Sequence, residues 1–304
     1  MRRKSHVEKT VGPWAKQKLD ALESYLEAYM QVMVKQPFKL FYIDAFAGAG
    51  IVKVRDKSNL ASIDSEYALL PEAFQEQEII EAEEFILGSP LRALGLSRPF
   101  HHYRFVDMDP VRTKGLDELI ADYQVGDARA LTGEANSVVQ DIAKKFTHRL
   151  WRGVAFLDPY GPHLHWETVA ALAGTGKFDV IINFPLAMAI NRLVKRDGII
   201  PERWQIQLDQ CFGCRDWRDL AFGKDEGLFG DIQYKRTDAA AQLLGLYVRR
   251  LEEIFEVVAQ PSLVKNTQGR PLYYLIWASS NRRGLPIANH ILGLGEKVKV
   301  PRRG

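Results

Sequence analysis

The chain has 304 residues, of which 46% are hydrophobic and 26% charged, a composition typical of a globular protein and not of a disordered or fibrous one. No stretch approaches the roughly 20 apolar residues of a membrane helix, and two cysteines cannot build a disulfide framework. No apolar signal region follows the charged N-terminus, so we expect a cytoplasmic location and no membrane association.

The net charge of +3 is unevenly distributed along the chain. Residues 58–91 contain acidic side chains but no lysine or arginine, which leaves the rest of the chain distinctly basic. A basic body favours nucleic acid as a partner, with the acidic segment placed elsewhere or acting as a mimic. The alternative is a solvated acidic helix on an ordinary surface.

The N-terminal third predicts a helix, a strand and an insertion. Apolar residues at helical spacing predict an amphipathic helix over residues 14–34, and "LFYIDAF" reads as a buried strand. The acidic stretch at about 53–88 is longer than a strand-to-helix connection requires, so we interpret it as an insertion. "GSPLRALGL" then predicts a short helix, with Pro90 at its first position.

Strand and helix patterns alternate through the middle of the chain. The strands are "YRFVDMDP", "QVGDAR", "GVAFLDPYG" and "FDVIINFP", and helical patterns separate them. Continuous apolar strands that alternate with helices predict an α/β fold whose parallel sheet is covered on both faces. Residues 191–260 predict a helical lid or subdomain, and "PSLVKNTQGRPLYYLIWASS" predicts a terminal antiparallel strand pair. We expect one domain over residues 1–304.

Polar residues and glycines follow every predicted parallel strand. In an open parallel sheet, ligands bind beyond the carboxyl ends of the strands. In chain order the residues are Asp44, Gly48 and Gly50; Asp107 and Asp109; Asp127; Asp158, Pro159, Tyr160 and Gly161; and Asn183. We expect them to meet at one edge of the sheet.

The first three strand ends predict a nucleoside-type cofactor. Glycines at 48 and 50 let backbone approach a ligand closely, and Asp107 suits the two hydroxyls of a ribose. Asp127 can accept from an exocyclic adenine amine. The loop "GAGIVK" lacks the third glycine of a dinucleotide fingerprint, so S-adenosylmethionine is the cofactor we predict. The full predicted cofactor site is Asp44, Phe46, Gly48, Gly50, Asp107, Asp109, Asp127 and Ala128.

"DPYG" is the candidate for catalysis. Asp158 and the Pro159 carbonyl can accept from a substrate amine, and Tyr160 can stack on a planar base. The predicted substrate-side residues are His163, His165, Asn183, Asn191 and Arg192. The alternative is a strand-to-helix turn in which Asp158 is structural and Tyr160 packs.

Two further patterns have competing interpretations. Cys211 and Cys214 supply two of the four ligands that a structural zinc needs, so we predict no metal and expect buried apolar cysteines. Residues 191–235 interleave arginines with aromatics, which suits a nucleic-acid surface or a lid. Alternatively, Trp204 and Trp217 pack inside a small helical subdomain.

The strings "IDAFAGAG", "GSPLRAL", "FVDMDP", "FLDPYG", "WETVAALA" and "NFPLAMAINRL" resemble, in this order, the three-Cys-motif partner protein family. More distantly, the core looks like class I S-adenosylmethionine-dependent methyltransferases. The resemblance implies a Rossmann-like, mostly parallel sheet with an antiparallel C-terminal strand pair. It also implies association with a three-cysteine, phage-type, radical-SAM-like partner protein.

Three functions follow as hypotheses. The first is an S-adenosylmethionine-dependent methyltransferase acting on nucleic acid or a nucleotide-like substrate. Amino-methyltransferases of nucleic acid favour D-P-P-Y where this chain has D-P-Y-G, and neither cysteine follows a proline as cytosine-5 methyltransferases require. The second is a non-catalytic partner or scaffold protein with the same fold. The third is a nuclease with a metal held by Asp44, Asp107, Asp109 and Asp158.

Overall fold

A computed structural model describes residues 13–48, 88–195, 198–227, 230–265, 269–291 and 296–297. Gly50 and the predicted acidic insertion, apart from Gly88, lie outside these residues. Within the described ranges, no helix is long and apolar enough to cross a membrane.

Ten α-helices lie in the described residues: α1 (Pro13–Met33), α2 (Ser89–Leu94), α3 (Pro110–Ile120), α4 (Ala135–Lys145), α5 (Trp166–Gly174), α6 (Asn191–Leu193), α7 (Glu202–Phe212), α8 (Trp217–Ala221), α9 (Ala239–Ile254) and α10 (Leu285–Ile291). A π-helix (Leu186–Ile190) precedes α6, and a 3-10 turn (Arg282–Gly284) precedes α10.

The strands are β1 (Lys39–Asp44), β2 (His102–Asp107), β3 (Asp127–Thr132), β4 (Trp151–Leu157), β5 (Phe178–Phe184), β6 (Phe222–Gly227), β7 (Gly230–Lys235), β8 (Val257–Val258), β9 (Ser262–Lys265), β10 (Pro271–Ser279) and β11 (Glu296–Lys297). The main sheet has the order β11-β9-β10-β5-β4-β1-β2-β3, with β8 paired to β10. Strands β1 to β5 are parallel, whereas β10 runs antiparallel between β5 and β9. This confirms the predicted Rossmann-like fold with its antiparallel C-terminal strand pair.

Each face of the sheet packs against helices, which explains why the central strands are apolar throughout. In β4, Val154 and Phe156 join the core formed with α1, α2 and α10. The alternate residues Ala155 and Leu157 join the larger core formed with α4, α5, α7, α8 and α9. Side chains of a strand point alternately to the two faces, so a strand buried on both sides has no polar alternation.

The segment 191–260 differs from a purely helical lid. Strands β6 and β7 form a separate antiparallel hairpin within it. Helix α9 buries Leu243, Leu244 and Tyr247 in the larger core, and the Tyr247 ring stacks on Phe184 with centroids 4.2 Å apart. The apolar stripe of α9 therefore covers the sheet.

Candidate functional site

The loop after β1 turns back onto the end of β2. Gly48 has a φ of 65°, in the left-handed region that a Cβ disfavours, and its N–H donates to Asp107 Oδ2 at 3.0 Å. The N–H of Asp109 donates to the other carboxylate oxygen of Asp107 at 2.8 Å. Burial raises the pKa of Asp107, while these two amides and Arg112 act to lower it. The two hydrogen bonds from Gly48 and Asp109 fix the Asp107 carboxylate at the carboxyl edge of the sheet, where the sequence predicts the ribose-binding acid.

Asp109 has a structural function at the same edge. It is the N-cap of α3, where its Oδ1 accepts from Val111 N at 2.8 Å, directly before Pro110. Met108 and Val111 on either side are 47% and 77% exposed, so large apolar side chains face solvent beside Asp107 and Asp109. The end of β2 thus offers a fixed carboxylate next to apolar surface.

Phe46, which the sequence also assigns to the cofactor loop, is half-buried. Its ring packs against the larger core. Backbone hydrogen bonds tie its neighbours Ala45 and Ala47 to the ends of β4 and β2. The loop therefore begins as a rigid extension of β1.

A buried cluster lies at the ends of β4 and β5. Asp158 Oδ1 accepts from Lys18 Nζ at 2.7 Å and from Asn183 Nδ2 at 2.5 Å. Lys18 belongs to α1 and has 0% of its side chain exposed, against 2% for Asp158. The Lys18 ammonium also lies over the Tyr273 ring, 4.6 Å from the centroid. Sequence reasoning missed Lys18, because the contact spans 140 residues and no local pattern marks it.

Burial perturbs the protonation of all three ionisable groups in this cluster. It lowers the pKa of Lys18 to about 7, against the raising effect of Asp158 and Asp44. It raises the pKa of Asp44 to about 7, against the lowering effect of the nearby Ser89 hydroxyl, the Phe46 amide and Lys18. It also raises the pKa of Asp158, which Lys18 and Asn183 oppose. Titratable groups shifted toward neutrality in one place are characteristic of functional sites.

Several buried oxygens of this cluster make no hydrogen bond of normal geometry to the described residues. They are Asp158 Oδ2 and Asn183 Oδ1, together with the oxygens of Asp44, although the Ser89 hydroxyl and the Phe46 amide lie near the Asp44 carboxylate. The buried Tyr42 hydroxyl also lacks a hydrogen bond to the described residues. Burial raises its pKa, and the nearby Asp44 raises it further. A buried acceptor without a donor costs free energy, so a set of them points to a ligand with N–H or O–H donors.

The other residues of the "DPYG" turn have packing functions. Pro159 is buried, and the half-buried Tyr160 ring packs with Val264, Leu272 and Tyr273 of β9 and β10. Tyr160 therefore forms part of the wall between the turn and the C-terminal strands.

The loop that carries His163 and His165 is held by a residue that sequence reasoning missed. Asn136, 4% exposed, donates to the His163 carbonyl at 2.8 Å and accepts from His165 N at 2.8 Å. Burial lowers the pKa of His163, which favours the neutral imidazole. Glu134, just before Asn136, caps α4 through the amides of Asn136 and Ser137.

The placement predicted for Asp127 and Ala128 is wrong. Asp127 begins β3 and is paired with His102 at the start of β2, so it lies at the amino edge of the sheet; Thr132 pairs with Asp107 at the carboxyl edge. Asp127 accepts from Arg104 at 2.6 Å and Arg129 at 2.9 Å. Although burial acts to raise its pKa, these bonds lower it. Asp127 is a structural acid, and Ala128 follows it away from the site.

Asn191 and Arg192 lie beyond the end of β5. The π-helix Leu186–Ile190 separates them from Asn183, and π-helical turns are frequent near functional sites. Asn191 Oδ1 is buried without a hydrogen bond to the described residues, and Arg192 is exposed. The hydrogen bonds described for Asp158 come from Lys18 and Asn183.

The tryptophans and cysteines of the 191–235 segment are structural. Trp204 and Trp217 are buried in the larger core, and Trp217 Nε1 donates to Asp209 at 2.8 Å. Cys211 is buried, which raises its thiol pKa to about 12. Among the described residues, no three His, Cys, Asp or Glu side chains form a group that could hold a metal ion.

No family model matches the chain, and no curated protein matches it. Solved structures with similar backbones include protein LPL1258 from Legionella pneumophila, of the DUF519 family, at 15% identity and a TM-score of 0.48, covering 94% of this chain and 92% of that one. The putative methyltransferase yhhF from Escherichia coli is 12% identical, with 84% and 86% covered and a TM-score of 0.34. Spermidine synthase from Thermotoga maritima is 10% identical, with 96% and 68% covered and a TM-score of 0.40. Likenesses of this size assign no function to this chain.

Proposed function

We propose that the protein is an S-adenosylmethionine-dependent methyltransferase whose acceptor is an amine of a nucleic acid or nucleotide-like substrate. The observation that carries this proposal is the pair of buried acceptor oxygens Asp158 Oδ2 and Asn183 Oδ1 at the carboxyl edge, next to the buried carboxyl group of Asp44. They suit a ligand that brings several N–H donors, such as the ammonium group of a methionine moiety and a substrate amine.

The charge of the site favours this cofactor over a phosphorylated one. Asp44, Asp107 and Asp158 all lie at the carboxyl edge; Lys18 forms a salt bridge with Asp158, and Arg112 lies 3.8 Å from Asp107. With three acidic groups against two cations, this edge favours the sulfonium and ammonium charges of S-adenosylmethionine over a pyrophosphate. When bound, that cofactor supplies an electrophilic methyl group.

Each residue then has a separate task. Asp107 accepts from the ribose hydroxyls, and the exposed apolar surface of Met108 and Val111 covers a face of the adenine. Asp44 accepts from the methionine ammonium. Asp158 Oδ2 and Asn183 Oδ1 accept from the substrate amine and orient its lone pair.

Lys18 is placed to handle the proton. A methylated amine must lose a proton, and a general base works best with a pKa near the working pH. Burial lowers the pKa of Lys18 to about 7, which brings the release of its proton into the range of neutral pH. Its Nζ is 2.7 Å from Asp158 Oδ1, within reach of an amine held by the same carboxylate.

As the acceptor we propose a nucleic acid, and as the protein partner the three-cysteine protein that the sequence resemblance suggests. The basic residues Lys195, Arg203 and Arg215 are exposed, whereas the tryptophans between them are buried. Contact with phosphates through arginine is therefore the interaction we expect, without stacking on Trp204 or Trp217.

The test is methyl transfer from S-adenosylmethionine labelled at the methyl group to pools of RNA, DNA and protein. We expect label in nucleic acid, reduced at least about a hundredfold by Asp158→Ala and unchanged by Asp127→Ala at the amino edge. Cofactor binding without transfer to any pool would instead favour a non-catalytic scaffold. Metal-dependent cleavage of nucleic acid without cofactor binding would favour a nuclease.

A further inference from the structure

A second cavity of about 270 Å³ opens at the amino edge of the sheet, at the opposite ends of the strands from Asp107 and Asp158. It lies between the C-terminal half of α1, the starts of β4 and β5, the end of β10 and helix α10. Its size is at the small end of the range for ligand pockets. None of the residues proposed above for methyl transfer lines it.

The floor of this cavity is acidic. Asp179 accepts from the Tyr25 hydroxyl at 2.6 Å and from the Ser279 hydroxyl. Burial raises its pKa to about 6, and these two hydrogen bonds oppose the rise. Part of Asp179 stays accessible from the cavity, and each carboxylate oxygen can accept a further hydrogen bond.

Three basic residues also line the cavity. Arg152, Lys177 and Arg283 line it, and none of them forms a salt bridge with a carboxylate of the described residues. The Arg152 guanidinium lies 4.3 Å from the centroid of the Phe38 ring, and its Nη1 donates to two backbone carbonyls. Lys177 Nζ donates to the carbonyls of Phe146 and Thr147. Two of the three cations are therefore held in place before any ligand arrives.

The two ends of the cavity do not neutralise each other. Among the described residues, Asp179 forms no salt bridge with a lysine or arginine, and its hydrogen-bond partners are the hydroxyls of Tyr25 and Ser279. The rings of Tyr29 and Phe38 line the same cavity, and Arg152 lies over the Phe38 ring. A complementary ligand has a multiply charged anion at one end, a flat ring in the middle and an N–H donor at the other.

We propose that this cavity binds a nucleoside monophosphate. Its phosphate lies against Arg152, Lys177 and Arg283, its base against Tyr29 and Phe38, and an amino group of the base donates to Asp179. Three cations suit a phosphate dianion better than a single carboxylate. The site is independent of the methyltransferase proposal.

Calorimetric titration with CMP, AMP and inorganic phosphate tests whether this cavity binds a nucleoside monophosphate. The titrations use the Asp107→Ala variant with excess S-adenosylhomocysteine, so that the proposed cofactor site does not contribute. We expect CMP or AMP to bind, and Arg283→Gln to weaken that binding about tenfold. The matched control is Arg282→Gln, because Arg282 points to Glu256 at 2.7 Å outside the cavity and should leave the affinity unchanged.

Asp179→Asn separates a nucleotide site from a simple anion site. It should weaken CMP and AMP but leave inorganic phosphate unaffected, since phosphate does not reach the floor. The proposal is overturned if none of the three ligands binds at about 5 mM, a concentration that detects very weak affinities. It is also overturned if phosphate binds as tightly as the nucleotides, or if Arg282→Gln and Arg283→Gln have equal effects.

Discussion

At the scale of single residues, the buried ion pair of Lys18 and Asp158 is the central contact of the carboxyl edge. The pair is buried and shares one hydrogen bond at 2.7 Å, so each charge depends on the other for its solvation. A buried ion pair adds little net stability over an apolar pair, whereas the loss of one partner is costly. Such a pair is better explained by what it does at the site than by what it contributes to folding.

Lys18→Met should lower the free energy of unfolding by about 3–5 kcal/mol, because it leaves Asp158 buried without its cation. Lys18→Met combined with Asp158→Asn should recover most of that loss, since no uncompensated charge remains. Urea denaturation at pH 7 measures both variants. A double variant as unstable as Lys18→Met alone would show that packing around Lys18, and not its charge, holds α1 in place.

Asp44 makes stability depend on pH in an identifiable direction. Its pKa is about 7 in the folded protein and near the ordinary 3.8 in the unfolded chain, so the native state binds more protons between these values. The contribution of this group to stability therefore falls as pH rises from about 4 to 7.

Asp44→Asn removes that dependence. We expect the variant to gain stability over the wild type between pH 5 and pH 7, by about 1 kcal/mol or more, with a constant difference above pH 8. Urea denaturation at pH 5, 6, 7 and 8 follows the change. A difference that stays constant from pH 5 to pH 8 would mean that Asp44 is ionised throughout.

At the scale of elements, a glycine in the left-handed conformation ends helix α7. Gly213 caps this helix with a φ of 63°, and a Cβ there would lie 2.4 Å from the Trp166 ring. Trp166 has little room to move, since Arg250 lies 4.2 Å over its ring. The C-cap of α7 and the start of α5 are thus fitted to each other.

Gly213→Ala should destabilise the protein by more than about 3 kcal/mol, because it combines left-handed strain with overpacking. Gly176→Ala is the matched control: Gly176 has a φ of 65° but open space around it, so only the strain of about 1–2 kcal/mol applies. Thermal unfolding of both variants measures the difference. Equal losses would contradict the close contact with Trp166.

The elements also show what a sequence can and cannot predict. The strong apolar runs of β1, β4, β5 and β10 were assigned correctly, and they fix the fold class. Strand β3 lies at the edge of the sheet and reads "DARALT", with few apolar residues to mark its start. Reading "QVGDAR" as a short strand and turn puts Asp127 at the end of the strand, whereas β3 begins at Asp127, so the predicted edge is the opposite of the observed one.

At the scale of the whole molecule, the two edges of one sheet carry opposite chemistry. Asp44, Asp107 and Asp158 gather at the carboxyl edge, whose strand-end positions follow from topology and were predictable. The amino edge brings Asp179 and the neighbouring Lys177 together with Arg152 and Arg283, from three distant parts of the chain. No local sequence pattern predicts this group of charged residues at the amino edge, because the cavity forms only when α1, the sheet and α10 pack together.

Binding of S-adenosylhomocysteine, measured by calorimetry on the wild type, Asp107→Ala and Asp127→Ala, tests the central claim most directly. We predict that the wild type binds and that Asp107→Ala weakens binding at least about tenfold, because the ribose loses its acceptor. Asp127→Ala should bind like the wild type, since that carboxylate lies at the opposite edge of the sheet. No binding by the wild type, or an equal loss in both variants, would contradict the assignment of the carboxyl edge as the cofactor site.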